Sequence, residues 1–582
     1  MLSPVEKIKE KLSIVEVISS YITVIQAGNN YKAKCPFHNE KTPSFSISPD
    51  KGFYYCFGCG AKGDIFSFVE KFEGTDFLGS LKILADRAGI VLEKLNNDKT
   101  FDDKERWYEI LEEATKFFES SFDKNPKARA YLINRGLSNE TIKTFRVGYA
   151  LPEWRSLTDH LIKKGYKIGD IETVGLAKNN NGKIYDRFRS RIIFPISDSS
   201  GRVIAFSGRI FKEEIVPADS GITEAKYLNS PDTPLFNKSG VLFGIDKAKT
   251  AIRTRGYSII VEGQMDLLMS HQAGFINTVA VSGTAFSDHT EESDIGDMTK
   301  INNLGLIRRL SPNIIFAFDG DSAGIRASNR SAMIALSLDM QVKIAILPEG
   351  KDPADIIFDN IDTWKDIIKN SVDIINFHLN NICKSTNDMR IQGRQVKDII
   401  FPFLSMIKSS IEKSAYITSI HKKTGLSEKS LIDDYQDYER NNFNKTKKPE
   451  ENIKQIDSKS RRDSLEEKLF GVIFWKGDDS EYHTKIKELF NFLNKETNED
   501  KFTKLYEKHK PNSAILSFES EMWYGDKINT LDRDVKEIVL NLEEEILIEE
   551  KASLQPLDTE EKLIKFNNMS KRIEEIKQTR FI

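Results

Sequence analysis

The chain is 582 residues long, 39% hydrophobic and 30% charged, with a net charge of −3. That composition describes a soluble globular protein of three or four domains at about 150 residues each, and it excludes a disordered or fibrous chain. No apolar run nears the roughly 18 residues of a membrane span. The charged opening MLSPVEKIKEKLSIVEVISS is no signal peptide, and four cysteines cannot make a disulfide framework. A cytoplasmic location without a membrane partner is expected.

The charge is uneven. Residues 1–450 carry 62 basic side chains against 59 acidic ones, and residues 451–582 carry 23 against 29. A polyanion-binding face must therefore be local. Residues 28–63 hold five lysines against two acids, and residues 181–260 hold 13 basic against 8 acidic side chains. Both are candidate basic faces, and both could equally be solvated surface.

In chain order, residues 1–98 read as one domain: a short helix, turn-rich strands around three cysteines, then two helices in DIFSFVEKFEGTDFLGSLKILADRAGI. Cys35-x2-His38 and Cys56-x2-Cys59 are separated by 17 residues, a spacing that suits one tetrahedral Cys3His zinc site. Thiolates and an imidazole select Zn²⁺ over hard cations. With all four positions filled by protein, the zinc is expected to be structural. A redox pair would use only Cys56 and Cys59 and leave Cys35 and His38 unexplained. Around the clip, Tyr31, Lys32, Lys34, Lys41, Phe45, Lys51, Phe53, Tyr54, Tyr55 and Lys62 interleave rings with positive charge. Such a mixture suits a single nucleic-acid strand, whose bases stack and whose phosphates pair with lysine; the same rings could simply fill a thin core. Alternation places Phe53 and Tyr55 on one face and Tyr54 on the other.

Residues 110–256 are mixed, with a helix–glycine–helix pattern in YLINRGLSNETIKTF and a hairpin in RIIFPISDSSGRVIAFSGRI. Residues 257–348 alternate strand and helix: YSIIVEG, INTVAVSG, NIIFAFDGD and QVKIAILP are β-branched runs with helical stretches between them, the pattern of a parallel sheet. Residues 349–438 read as helical, 439–463 as a linker, and 464–582 as helices again. The lone Cys383 reads as a small core residue.

Glu262 follows one predicted strand and Asp266 stands one helical turn on. Asp319 and Asp321 end a second strand, and Asp352 and Asp355 follow a third. Carboxyl ends of parallel strands open on one crevice, so these groups can converge. Converging carboxylates repel unless cations lie between them, and an all-oxygen set selects Mg²⁺ or Mn²⁺. Two such ions clamp the attacking and leaving oxygens of a phosphoryl transfer.

VEGQMD, FDGDSAG and GKDPAD resemble the Toprim signature of primases, topoisomerases and some nucleases. CPFH…YYCFGCG with GDIFSFV resembles the CHC2 zinc finger, and YDRFRSRIIFPISD, GRVIAFSGR and KYLNSPDTPLFNK resemble the N-terminal half of a primase core. In this order and spacing the chain, over roughly residues 1–440, resembles a DnaG-type bacterial DNA primase. The resemblance implies a multidomain α+β and α/β protein: a zinc ribbon, a primase core with a parallel-sheet Toprim subdomain, and an all-helical C-terminal domain. It implies RNA primer synthesis from ribonucleoside triphosphates on single-stranded DNA by a protein that is a monomer when free. Glu262, Asp319 and Asp321 would be catalytic. The same three with Asp352 would hold Mg²⁺, and Asp266 and Asp355 would stand by the metal. Arg187, Arg189, Arg209, Lys226, Tyr227, Asn229 and Lys238 would bind template and nucleotide, unless the arginines pair with Asp186, Asp198 and the Toprim acids. The C-terminal domain would dock on a replicative hexameric helicase of the DnaB type.

Two departures stand out. The third motif reads DPAD where the family often has DPD, which displaces Asp355 by one residue. The 287–310 segment is longer than expected and reads as a solvated insertion. The alternatives are another Toprim enzyme, a nuclease or topoisomerase, and a non-catalytic module that binds single strands and helicase.

Overall fold

The computed structural model describes residues 3–38, 40, 42–91, 99–180, 182–211, 225–238, 240–281, 302–320, 322–445, 461–477, 480–490, 500–524, 530–554 and 559–579. They form two compact units, one from residues 12–65 and 449–582, the other from residues 1–11 and 66–448. Among the described residues no helix is long and apolar enough to cross a membrane.

The first unit begins with a helix, Ile14–Ser19, whose N-terminus is capped by the Ser13 hydroxyl accepting from Glu16 N–H. Five antiparallel strands follow as a meander: β1 Ile25–Ala27, β2 Asn30–Ala33, β3 Phe45–Ser48, β4 Phe53–Cys56 and β5 Lys62–Gly63. Phe45 and Tyr54 are fully buried and stack at 4.8 Å. Phe53 and Tyr55 are only half-buried, so the alternation read from the sequence is the one the strand adopts.

The C-terminal part of this unit is helical, with helices at Arg461–Lys476, Glu481–Leu489, Lys501–His509, Ser513–Tyr524, Leu531–Ser553 and Glu560–Thr579. Leu469, Phe470, Ile473, Phe502, Leu542 and Ile546 are among its core. Inside lies Glu466, fully buried and 2.8 Å from Arg462 Nε, 2.6 Å from Lys508 Nζ and 3.0 Å from His509 Nε2. Burial alone would raise its pKa; the contacts with His509, Lys508 and Arg462 outweigh burial and bring it down to about 2. A depressed carboxylate stabilises the fold above its unfolded pKa, and that contribution is lost as pH falls through about 2. Glu466→Gln leaves three donors facing a neutral amide, and about 3 kcal/mol of stability should go at pH 7, read as a lower urea midpoint for the C-terminal helices.

The second unit holds the helices Ile65–Glu73 (from Phe66 on) and Phe77–Ala88, and then the 25-residue helix Lys99–Asp123, which packs on an antiparallel sheet. That sheet is made of β6 Gly148–Ala150, β9 Arg191–Ser197, β10 Val203–Ile210 and β11 Tyr227–Asn229, ordered β11-β10-β9-β6. A small hairpin, β7 Ala177–Asn180 with β8 Lys183–Asp186, stands beside it. The predicted β9/β10 hairpin is present, its turn tied by Asp198 accepting from Ser200 N–H and Arg202 N–H.

All four strands expected between 257 and 348 form. β12 Ser258–Val261, β13 Thr278–Ala280, β14 Asn313–Phe316 and β15 Gln341–Ile344 run parallel, and β16 Val372–Asp373 closes one edge antiparallel. The order β13-β12-β14-β15-β16 puts the reversal of winding between β12 and β14, the place where such sheets open a crevice.

Three expectations change. The end of the 287–310 segment is no solvated loop: it is the helix Asn302–Leu310, with Leu304, Ile307 and Leu310 buried; residues 287–301 lie outside the described residues. The helix Glu428–Lys445 runs into the segment read as linker. Cys383 is only half-buried, its thiol 3.9 Å from the Lys423 carbonyl, because it lies toward the solvent side of its helix.

Candidate metal and nucleotide centres

Two sites emerge, one in each unit. In the ribbon, the ligand atoms of Cys35, His38, Cys56 and Cys59 all lie within 4.8 Å of one another. Zinc–sulfur bonds of about 2.3 Å and zinc–nitrogen bonds of about 2.05 Å in a tetrahedron give edges of about 3.8 Å for S–S and about 3.6 Å for S–N. Cys35 Sγ to Cys59 Sγ is 3.8 Å, and Cys56 Sγ to His38 Nδ1 is 3.6 Å. The four residues therefore fit a structural zinc ion. Contact with Cys35 holds the Cys59 thiol below its ordinary value, which favours the thiolate that a metal takes. Gly58 is required for space: a Cβ there would stand 2.3 Å from His38 Nε2.

Register sorts the surrounding rings and lysines. Lys32 pairs with Ser46, Ser46 with Tyr55, and Tyr55 with Lys62. This row crosses four strands on one face, and Phe53 lies two residues along the same face. Tyr31 is in the opposite row with Ile47 and Tyr54, beside the core ring Phe45. Lys34 is exposed, Lys51 pairs with Glu521, Lys62 stands 4.0 Å from Glu467, and Lys41 lies outside the described residues.

The second site is a cleft of about 220 Å³ at the winding reversal of the parallel sheet. Glu262, Asp266, Asp319 and Asp352 line it with Arg135, Arg209, Lys226, Tyr227 and Asn229. Glu262 leaves the end of β12 and its Oε1 accepts from Asp319 N–H, beyond the end of β14, at 3.2 Å. Asp266, in the first turn of helix Gln264–Gln272, is buried and accepts from Gly263 N–H and Ala354 N–H. Asp352 caps helix Pro353–Asp359 by accepting from Asp355 N–H at 2.7 Å. Gly324 is fixed by this crowding, since a Cβ would sit 2.3 Å from the Asp319 carbonyl and 2.9 Å from Glu262 Oε1.

Burial, then the charges of Asp352 and Asp319, push Asp266 up to about 8. All-oxygen donors whose charges oppose one another fit Mg²⁺ or Mn²⁺. A raised carboxyl gives stability that is full below its unfolded pKa and lost as pH climbs through the folded one. In protein stripped of divalent cations, the melting temperature of this unit should fall from about pH 5 to about pH 9. Asp266→Asn should remove most of that slope, and added Mg²⁺ should restore stability at high pH.

The other expected residues divide. Arg209 donates to the Tyr227 hydroxyl at 2.9 Å inside the cleft. Arg187 holds the Asn229 carbonyl, and Arg189 is buried against the Trp154 ring at 4.2 Å and donates to the Asp186 carbonyl. Neither Arg187 nor Arg189, nor Lys238 or Asp355, is among the residues lining the cleft, and Asp321 lies outside the described residues. The arginine–aspartate pairing held open from the sequence belongs to another residue. Asp186 caps helix Ser156–Lys163 through Leu157 and Thr158 N–H. Asp198 pairs with Arg202, which also holds Asp76 at 2.6 Å and covers the Tyr108 ring. Some of the basic excess is thus architectural. Sequence reading missed Arg135, which ends helix Pro126–Asn134; the NRG of the helix–glycine–helix pattern is its only local signal.

Three known families match this chain in order. Residues 2–100 match the CHC2 zinc finger family, residues 117–249 the N-terminal domain of the DNA primase catalytic core, and residues 259–357 a Toprim-like family. The DNA primase of Clostridium acetobutylicum is 35% identical over 437 residues, which is 74% of this chain and 69% of that protein. The DNA primase of Halalkalibacterium halodurans is 34% identical over 73% of this chain and 69% of its own length. The crystal structure of the zinc-binding and RNA polymerase domains of Aquifex aeolicus primase is 30% identical. It covers 74% of this chain and 99% of its own, with a TM-score of 0.49.

Proposed function

The chain belongs to the bacterial DnaG-type DNA primases and makes RNA primers by nucleotidyl transfer, and from that premise we propose how its own residues divide the work. The observation that carries the proposal is the single cleft in which four carboxylates face Arg135, Arg209 and Lys226. Negative and positive walls so close together suit a triphosphate bound through cations on one side and directly on the other.

Glu262, Asp319 and Asp352 would hold two Mg²⁺ or Mn²⁺ ions, with Asp266 beside them and Asp321 and Asp355 as further candidate ligands. When bound, the ions lower the charge of the reacting phosphate and stabilise the attacking and leaving oxygens. Arg209, locked by Tyr227, offers its guanidinium to phosphate oxygens, and Lys226 and Arg135 add charge along the same wall. The 3′-hydroxyl of the growing RNA attacks the α-phosphorus of a ribonucleoside triphosphate. A new O–P bond forms, pyrophosphate leaves, and Glu262 takes the hydroxyl proton. Arg187, Arg189 and Lys238 bind or support the template strand beside the cleft, and Asn229 does so from the cleft wall. The ribbon's Lys32–Tyr55–Lys62 face stacks and pairs with single-stranded template.

The domains are 1–98, 110–256, 257–348, 349–438, 439–463 and 464–582, and the helix Lys99–Asp123, which packs on β6 and β10, extends the second of them toward residue 99. The protein works in the cytoplasm and is a monomer when free. Its helical C-terminus docks on a DnaB-type hexameric helicase. Ile548, Leu563 and Ile564 support this, each about half exposed on the last two helices, since apolar side chains in water mark protein contacts. Leu563→Asp with Ile564→Asp should weaken helicase binding at least about tenfold, an expected loss of about 1.4 kcal/mol, in a pull-down or anisotropy titration, with primer synthesis on free template unchanged.

Single-stranded DNA, labelled ribonucleotides and Mg²⁺ test the reading together. Short template-directed RNA is the expected product. Nicked or relaxed DNA without RNA would instead favour a nuclease or topoisomerase, and binding with no product would favour a non-catalytic module.

A further inference from the structure

One buried acid of the ribbon takes no part in the roles above. Glu40 lies between the two zinc knuckles with its side chain only 8% exposed. Its Oε1 accepts from Cys35 N–H at 2.6 Å and from Ser44 N–H at 3.0 Å. Its Oε2 accepts from the Ser44 hydroxyl and stands 3.2 Å from His38 Nε2. The Ser44 hydroxyl in turn lies 3.2 Å from Cys56 Sγ. One carboxylate thus touches, directly or through Ser44, three of the four zinc ligands.

The orientation of His38 gives this its meaning. Nδ1 is on the side of Cys56 Sγ, and Nε2 is on the side of Glu40. A metal-bound imidazole keeps its proton on the other nitrogen, and a carboxylate at that proton fixes tautomer and ring angle while making the ligand more basic. Resting on the zinc reading, we propose that Glu40 is the positioning residue of the finger. It holds His38 as the Nε2–H tautomer with Nδ1 on the metal, and it locks the Cys35 and Cys56 knuckles at the spacing the ion needs. Gly58 completes the device, since any side chain there would push the imidazole off Glu40.

The test uses the full zinc-loaded chain. Histidine-selective ¹⁵N labelling of the unmodified protein should show one of the eight histidines as a metal-bound Nδ1 with a protonated Nε2. A metal-bound Nε2 would overturn the proposal whatever any variant does. Zinc affinity is then read by competition with a chromophoric chelator for the unmodified chain, Glu40→Gln, Glu40→Asp and the exposed control Asp50→Asn. Glu40→Gln should bind zinc about 10- to 100-fold more weakly. Glu40→Asp, too short to span Cys35 and His38 together, should fall at least as far, and Asp50→Asn should match the unmodified chain. Equal affinity in Glu40→Gln would also overturn the proposal. Absence of zinc from the unmodified protein would instead overturn the zinc reading itself, so the two failures are distinct.

Discussion

Asp319→Asn is expected to lower the rate of RNA primer synthesis by at least about 10³-fold, an expected loss of about 4 kcal/mol of transition-state stabilisation. The amide keeps the size of the carboxylate and the backbone link in which Asp319 N–H meets Glu262 Oε1. What it loses is the charge, and charge is what four converging carboxylates contribute to a cation-dependent phosphoryl transfer. Glu262→Gln should fall comparably. Neither change should unfold the protein, because each removes repulsion from a site where burial and like charge already push Asp266 up to about 8. Binding of single-stranded DNA should survive as well, since Arg209, Lys226 and the ribbon are untouched. The measurement is a gel of labelled RNA under single-turnover conditions alongside an anisotropy titration with template. Activity within tenfold of the unmodified enzyme in both variants would remove these residues from the catalytic centre.

Stripping the zinc should unfold the ribbon and leave the parallel sheet intact. The ribbon segment spans residues 12–65, and a core of that size gives no more than about 3–5 kcal/mol by itself. Structural zinc gives about 10–16 kcal/mol of binding energy, which is folding energy when the site does not pre-exist. Val17, Ile18, Phe45, Ile47 and Tyr54 are fully buried, but five side chains on short elements make a small core, and the metal outweighs them. A strong chelator, or Cys56→Ser, should open residues 12–65 to limited proteolysis without shifting the melting of the catalytic unit. Starting a primer on bare template should fail, while extension of an annealed RNA primer continues. A ribbon that resists protease after its zinc is gone would contradict this.

The legible parts of the sequence were those with local spacing. Two knuckles separated by 17 residues announce a metal because ligand spacing is set by the chain itself. The four parallel strands announce themselves through runs of β-branched residues. Glu262, Asp319 and Asp352 follow because a strand's carboxyl end is a fixed place in the fold. Roles settled by packing stayed hidden. Glu40 looks like any loop acid until His38, Cys35 and Ser44 close on it. Arg135, more than 120 residues upstream of Glu262, reaches the cleft because the turn after its helix is tied to helix Gln264–Gln272 through Gln272 on the Gly136 carbonyl. Arg202 looks like one more member of a basic patch, yet Asp76, Asp198 and Tyr108 hold it as architecture. The helix Asn302–Leu310 reads as surface in the sequence because the polar residues before it dominate the composition of the segment. Its apolar residues at helical spacing, Leu304, Ile307 and Leu310, were the available signal.

Catalysis depends most on cations gathered by the carboxylates at the winding reversal of the parallel sheet. Anomalous scattering from crystals grown with Mn²⁺ and a non-hydrolysable ribonucleoside triphosphate measures that directly. Manganese should lie within coordination distance of Asp319, Asp352 and Glu262, with the triphosphate between those ions and Arg209. Manganese and nucleotide bound elsewhere, in a crystal whose enzyme still makes primers, would contradict it.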